Sequence, residues 1–324
     1  MTVDLPISID DVRAARERIA PFLTPTPLRE YKELNEAIGG GIRVLVKHEN
    51  HQPTNAFKVR NALSALTVLD DEQRACGVVS ASTGNHGQGL AFAGKKLGVA
   101  VTVVVPLGNN PEKNSAIRSL GARVVECGTD YDESVVESAR LTRDEGLTLV
   151  HSTNNREVLA GAATITLEVL EQADALDAMV IAVGGGSQAV GAMTVIQAMR
   201  PNVVVYGVQA AGAPAIYESW KAGRPVERIP PRTIAEGIAT GTSYELTFPA
   251  LRDGLTDFVL VSDEEIIDSM RAMIQRTHNL TEPAGATGLA GARKLRDELE
   301  GKTVCVILTG ANVDAVTLRR CLGA

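Results

Sequence analysis

A lysine set among apolar neighbours, Lys58 in the run Gln52-Pro53-Thr54-Asn55-Ala56-Phe57-Lys58-Val59-Arg60, is the residue of this chain best placed for amine chemistry. A poorly solvated ammonium gives up its proton more readily, so part of it stands as free amine near neutral pH and can attack a carbonyl to form a Schiff base. Alone, the same residue would read far more readily as a solvated helix lysine, so the case rests on what accompanies it. A second run, Val183-Gly184-Gly185-Gly186-Ser187-Gln188, follows an apolar stretch and opens a helical pattern. With no side chains in the way, its successive backbone N–H groups can converge on a phosphate at a helix N-terminus. It has neither the lysine of a P-loop nor the G-x-G-x-x-G spacing with a downstream acid, so a nucleotide is disfavoured; the plain alternative is an ordinary turn. Two further polar runs are Ser82-Thr83-Gly84-Asn85-His86-Gly87-Gln88-Gly89 and Thr309-Gly310-Ala311-Asn312. Read singly, Asn85 and His86 would cap a helix, Thr309 would satisfy a turn and Glu282 would be a surface acid.

These runs need a frame that brings them together. Short β-branched apolar stretches recur at residues 44–46, 78–79, 101–105, 123–125, 180–183, 203–208 and 304–308 and read as buried strands. Between them, Asn85 to Leu97, Asp130 to Arg143, Val158 to Leu170 and Glu264 to Arg276 have a helical period. Strand, helix, strand order predicts an α/β protein of parallel sheets covered by helices. Ligands in such folds bind where strands end and helices begin, and each glycine- or hydroxyl-rich run follows a predicted strand. No short repeat, low-complexity tract or flexible linker divides the chain, so a division into lobes has to come from topology.

Composition removes several classes. A chain of 324 residues with 44% hydrophobic and 22% charged content is long enough for sizeable cores. The net charge of −7 is spread along the chain without a basic cluster, and aromatics are only 3%, which disfavours nucleic acid as a partner. The N-terminus has no basic stretch followed by an apolar core and no apolar run is long enough for a bilayer, so a cytoplasmic protein without a membrane partner is expected. Cys76, Cys127, Cys305 and Cys321 stand too far apart for a disulfide framework or a CxxC motif and read as buried small hydrophobes. His48, His51, His151 and His278 show no ligand spacing, so no metal is expected there.

Lys58 together with a phosphate grip, and no nicotinamide or metal signature, points to pyridoxal phosphate held by its phosphate and bound covalently through its aldehyde. On these motifs, from Thr24-Pro25-Thr26-Pro27-Leu28 to Leu308-Thr309-Gly310-Ala311-Asn312-Val313-Asp314, the chain resembles the fold-type II pyridoxal-phosphate enzymes, in particular the threonine/serine dehydratase and serine racemase group. The resemblance implies a two-lobed, tryptophan synthase β-like architecture, with residues 1–50 plus 154–324 as the large cofactor lobe and 51–153 as the smaller one. It makes Lys58 the Schiff-base lysine and catalytic base, and puts Phe57 beneath the ring. It assigns Asn85 to the cofactor's 3′ oxygen, Gly184, Gly185, Gly186 and Ser187 to the phosphate, Thr309 to the neighbourhood of the pyridine nitrogen and Glu282 to the cofactor region. Ser82, Thr83, Gly84, Asn85 and His86 match the loop that receives the substrate carboxylate.

A neutral hydroxyl at Thr309 leaves the ring a weaker electron sink than a carboxylate would, which suits prompt expulsion of a leaving group. The implied activity is therefore an ammonia-lyase (dehydratase) turning threonine, serine or a bulkier 3-hydroxy amino acid into a 2-oxo acid and ammonia. The alternatives are a racemase using Lys58 and Thr83 on opposite faces, a β-replacement synthase and a non-catalytic cofactor-binding protein. Gln209-Ala210-Ala211-Gly212-Ala213-Pro214-Ala215 stands where many relatives carry an acidic pair, so no Mg²⁺ is expected there. Residues from Ile234 to Ser243 and the Asn55-Ala56 pair are candidates for reading the β-substituent. No effector domain is expected after Asn312, hence no feedback control by isoleucine, and the group's habit implies a homodimer or higher homo-oligomer.

Overall fold

The computed structural model describes residues 3–323, which form two sheets. The larger has the order β1-β2-β10-β7-β8-β9, built from β1 (Leu28–Glu30), β2 (Arg43–His48), β7 (Ala178–Ala182), β8 (Val204–Ala210), β9 (Asp257–Val261) and β10 (Thr303–Leu308). The smaller has the order β5-β4-β3-β6, from β3 (Val78–Ala81), β4 (Val101–Val105), β5 (Arg123–Glu126) and β6 (Thr148–Leu149). As expected the sheets are parallel, every pairing being so except that of the edge strand β1 with β2, which is antiparallel.

Sheets covered on both faces need strands that are apolar on both, and β10 shows the pattern: Val304, Val306 and Leu308 enter one core while Cys305 and Ile307 enter the other. Cys305 and Cys321 are buried as expected, whereas Cys76 is exposed and Cys127 half-buried. Cys76 closes the Asp71–Cys76 helix, none of whose residues is buried, so nothing covers its thiol.

The Lys58–Thr67 helix is buried from Val59 to Leu66. It lies close to two neighbours because both present glycine: a Cβ on Gly89 would stand 2.9 Å from the Lys58 carbonyl oxygen, and one on Gly161 2.5 Å from that of Arg60. Two residues on from Lys58, the guanidinium of Arg60 donates to Glu49 at 2.7 Å and to Glu168 at 2.7 Å, and Lys47 Nζ donates to Glu168 at 2.7 Å. All four side chains are at most 2% exposed. Two acids and two bases balance in charge, so each ion has its partner out of water; removing one member would leave a bare buried charge at a cost of about 3–5 kcal/mol. This network fastens the helix that begins at Lys58 to β2 and to the Arg156–Gln172 helix. Among the described residues no helix is long and apolar enough to cross a membrane.

Candidate active site

The C-terminal ends of β3, β7 and β10 and the start of the Lys58–Thr67 helix surround a cavity of about 560 Å³, large enough for a small cofactor with its substrate. Every residue singled out above for chemistry lines it: Phe57, Lys58, Ser82 to His86, Gly184 to Ser187, Glu282 and Thr309. The stretch from Ile234 to Thr242 contributes much of another wall, but the Asn55-Ala56 pair does not reach the cavity. Asn55 instead takes a left-handed φ of 53°, a conformation asparagine tolerates, and Ala56 bridges to Gly310.

Lys58 Nζ donates to the Ser152 carbonyl at 3.1 Å and lies 5.1 Å from the centre of the Phe57 ring. Burial without a compensating anion lowers its pKa to about 8, so roughly a tenth of it is free amine at pH 7. The glycine run turns at Gly186, whose φ of 98° is a glycine conformation, and the Ser187–Met199 helix starts there. Thr247 Oγ1 donates to the Gly185 carbonyl at 2.7 Å, which fixes the peptide, while among the described residues no hydrogen bond is donated by the N–H groups of Gly184, Gly185, Gly186 or Ser187. A Cβ on Gly185 would meet Thr153 Oγ1 at 2.2 Å, so a side chain is excluded there by contact. Four unpaired donors at a helix start, in one cavity with a depressed lysine, fit a phosphorylated aldehyde.

The Ser82 run makes a second anion seat. Ser82 Oγ accepts the N–H groups of Gly84 at 3.3 Å and Gly87 at 2.9 Å, so among the described residues those of Thr83, Asn85 and His86 are left at the start of the Asn85–Leu97 helix without partners. His86 adds no charge. Burial, reinforced by the nearby Lys58 cation, lowers its pKa to about 3, and its Nε2 faces the Val150 carbonyl at 3.3 Å. A carboxylate here would be held by backbone donors and the helix dipole.

Asn85 joins three loops. Its Nδ2 donates to Glu282 Oε1 at 2.7 Å and its Oδ1 accepts from Asn312 Nδ2 at 2.7 Å, which also reaches the Thr54 carbonyl at 2.9 Å. Burial raises the Glu282 pKa to about 7, against the lowering effect of the Asn85 hydrogen bond. The acid is thus no surface group but a carboxyl that holds its proton into the neutral range. Thr309 is buried, and its carbonyl accepts the Phe57 N–H at 3.0 Å, tying the end of β10 to the residue before Lys58.

Ser152, Thr153, Tyr244 and Asn312 line the cavity as well. Asn312 belongs to a run the sequence marks out; the other three carry no spacing or composition signal and are found only by the fold. Across the cavity mouth, Lys113 pairs with Glu236, and Arg228 with Asp132 at 2.6 Å. Among the described residues no group of three or more His, Cys, Asp or Glu could hold a metal ion.

Comparison with known proteins agrees with this arrangement. Residues 19–310 match the family model described as pyridoxal-phosphate dependent enzyme. An L-threo-3-hydroxyaspartate ammonia-lyase of a Pseudomonas species is 36% identical over 307 residues, 95% of this chain and 96% of the relative. An L-threonine ammonia-lyase of Geobacter sulfurreducens is 38% identical over 308 residues, 95% of this chain and 76% of the relative. The structure of maize serine racemase superposes with a TM-score of 0.92 at 29% identity, covering 98% of this chain and 97% of that one.

Proposed function

The chain belongs to the pyridoxal-phosphate dependent enzymes, and from that premise we propose that it is an ammonia-lyase converting a 3-hydroxy amino acid to a 2-oxo acid and ammonia. The observation that carries the reading is the convergence on one cavity of the Lys58 amine, the free N–H groups of residues 184–187 and those of Thr83, Asn85 and His86. The relatives named for L-threo-3-hydroxyaspartate and for L-threonine support the substrate class, threonine, serine or a bulkier 3-hydroxy amino acid.

Pyridoxal phosphate, when bound, supplies an electron-withdrawing ring that lets a bond at the substrate α-carbon break heterolytically. Gly184, Gly185, Gly186 and Ser187 would hold its phosphate, Asn85 would serve its 3′ oxygen and Thr309 its ring nitrogen, and Phe57 and Glu282 would line the ring's place in the cavity. The Thr83, Asn85 and His86 N–H groups receive the substrate carboxylate. Lys58 takes the α-proton, its depressed pKa making the amine a competent base near neutrality. The Cα–H electron pair becomes the Cα–Cβ double bond as the Cβ–O bond breaks, the proton removed from the α-carbon balances the one that makes the departing hydroxide water, and hydrolysis of the resulting enamine, through its imine form, gives the 2-oxo acid and ammonia.

The test is to incubate the purified protein with a panel of 3-hydroxy amino acids and follow oxo-acid formation. Lys58→Ala should abolish it; full turnover in that variant refutes the assignment. Accumulation of D-serine from L-serine would move the reading to a racemase working through Thr83. We also read the enzyme as a cytoplasmic homodimer or larger homo-oligomer, with residues 51–153 as the substrate-loop lobe; light scattering, fractionation and limited proteolysis address these points.

A further inference from the structure

His151 lies in the bend Val150-His151-Ser152-Thr153-Asn154 that leads from β6 to the Arg156–Gln172 helix. Its Nδ1 accepts two backbone N–H groups, from Thr153 at 3.0 Å and from Asn154 at 2.8 Å. A ring nitrogen that accepts carries no proton, so the neutral ring holds its hydrogen on Nε2. The ring also meets Tyr244 edge-on, with centroids 5.1 Å apart.

The bend closed in this way carries three contacts of the cavity. Its Ser152 carbonyl takes the Lys58 amine at 3.1 Å. Its Thr153 side chain lies against Gly185, where an added Cβ would meet it at 2.2 Å. Its Asn154 Oδ1 accepts the Leu246 N–H at 3.1 Å, next to the Thr247 that fixes the Gly185 carbonyl. We infer that His151 is a positioning residue: by accepting two backbone N–H groups it sets the carbonyl that aims Lys58 and the side chain that backs the phosphate loop. Its own side chain is not among those lining the cavity. The titratable groups facing it are Lys58, His86 and Tyr244, with Tyr131 beside Ser152. Burial, and after it the Lys58 cation, holds its pKa below the ordinary imidazole range, so the accepting nitrogen stays bare through neutral pH.

The inference rests on Lys58 being the base proposed above. Its test compares two full-length holoenzyme variants. In His151→Asn a carbonyl oxygen stands close to the place of Nδ1 and still accepts; His151→Leu fills similar space and cannot. Because a misplacement on the order of 1 Å of a reacting group costs about 100-fold, kcat for the best 3-hydroxy amino acid should fall about 100-fold in the Leu variant. KM should stay within about threefold, and the Asn variant should keep kcat within about threefold. Equal kcat in the two variants, or a loss confined to KM, overturns the inference. Should the Leu variant fail to fold, amide exchange in the wild-type protein decides. The Thr153 and Asn154 N–H groups should exchange at least about tenfold more slowly than unstructured amides at pH 7 and lose that protection once His151 is protonated at acid pH. Free exchange at pH 7 overturns the inference. A wild-type protein that forms no oxo acid defeats the ammonia-lyase reading alone, because the exchange result does not depend on turnover.

Discussion

Replacing Lys58 by methionine should make the cofactor-free protein more stable at neutral pH, even as it removes the reactive amine. Burial lowers the lysine pKa from 10.5 to about 8. Below about pH 8 both folded and unfolded chains carry the ammonium, so folding bears the whole desolvation penalty; above about 10.5 both are neutral and the penalty is gone. The folded chain binds fewer protons in between, so stability rises with pH across that window. Integrating the linkage with those two values gives about 3.3 kcal/mol at pH 7 and about 1.4 kcal/mol at pH 9.5, upper figures because the side chain keeps some surface on the cavity. Methionine has a similar length, no charge and a flexible stem, so it forfeits little packing. Urea unfolding of the two cofactor-free proteins at both pH values reads the difference directly. A variant no more stable than wild type at pH 7, or an advantage that does not shrink at pH 9.5, refutes the view that Lys58 is held there as an unpaired, desolvated cation.

Three other perturbations follow from the same geometry. Gly185→Ala places a methyl against Thr153 Oγ1, where the free distance is 2.2 Å, so overpacking of about 1–3 kcal/mol should weaken pyridoxal-phosphate binding about tenfold or more by fluorescence titration; Thr153→Ala in the same chain should restore part of it. Glu282, raised by burial from 4.5 to about 7, should contribute a loss of stability as pH rises from about 4.5 through 7, and Glu282→Gln should abolish that slope in urea unfolding. Arg60→Met leaves Glu49 and Glu168 with Lys47 as their sole buried cation and should lower unfolding free energy by about 3–5 kcal/mol, measured by chemical denaturation.

What the residue pattern makes legible here is what local chemistry controls. Strands apolar on both faces, such as β4 and β10, announce themselves, and the helix from Asn85 to Leu97 has the bounds its period implies. Three strands escape the pattern for different reasons: β1 is three residues with two exposed, β6 has only two residues, and β9 follows a helix end and lies at the sheet edge with only Phe258 and Val261 buried. The glycine and serine runs after β3, β7 and β10 are readable because unhindered N–H groups require those residue types. The Arg60 network is not readable, because it depends on partners brought together from separate segments: Arg60 and Glu168 are 108 residues apart. A histidine with no ligand spacing gives no hint that its nitrogen closes a bend.

The two ion pairs across the cavity mouth say something about how fast small molecules come and go. Arg228 and Asp132 keep 49% and 53% of their side-chain surface in solvent and Glu236 keeps 61%, whereas Lys113 keeps only 17%. An exposed pair such as Arg228–Asp132 is worth about 0.2–1 kcal/mol, no more than about twice thermal energy. A tie that light gives way on the loop timescale of nanoseconds to microseconds, far faster than ordinary turnover, so the pair itself sets no barrier to an entering amino acid. Added salt screens the pair and loosens that side further, so substrate entry there should not slow as ionic strength rises.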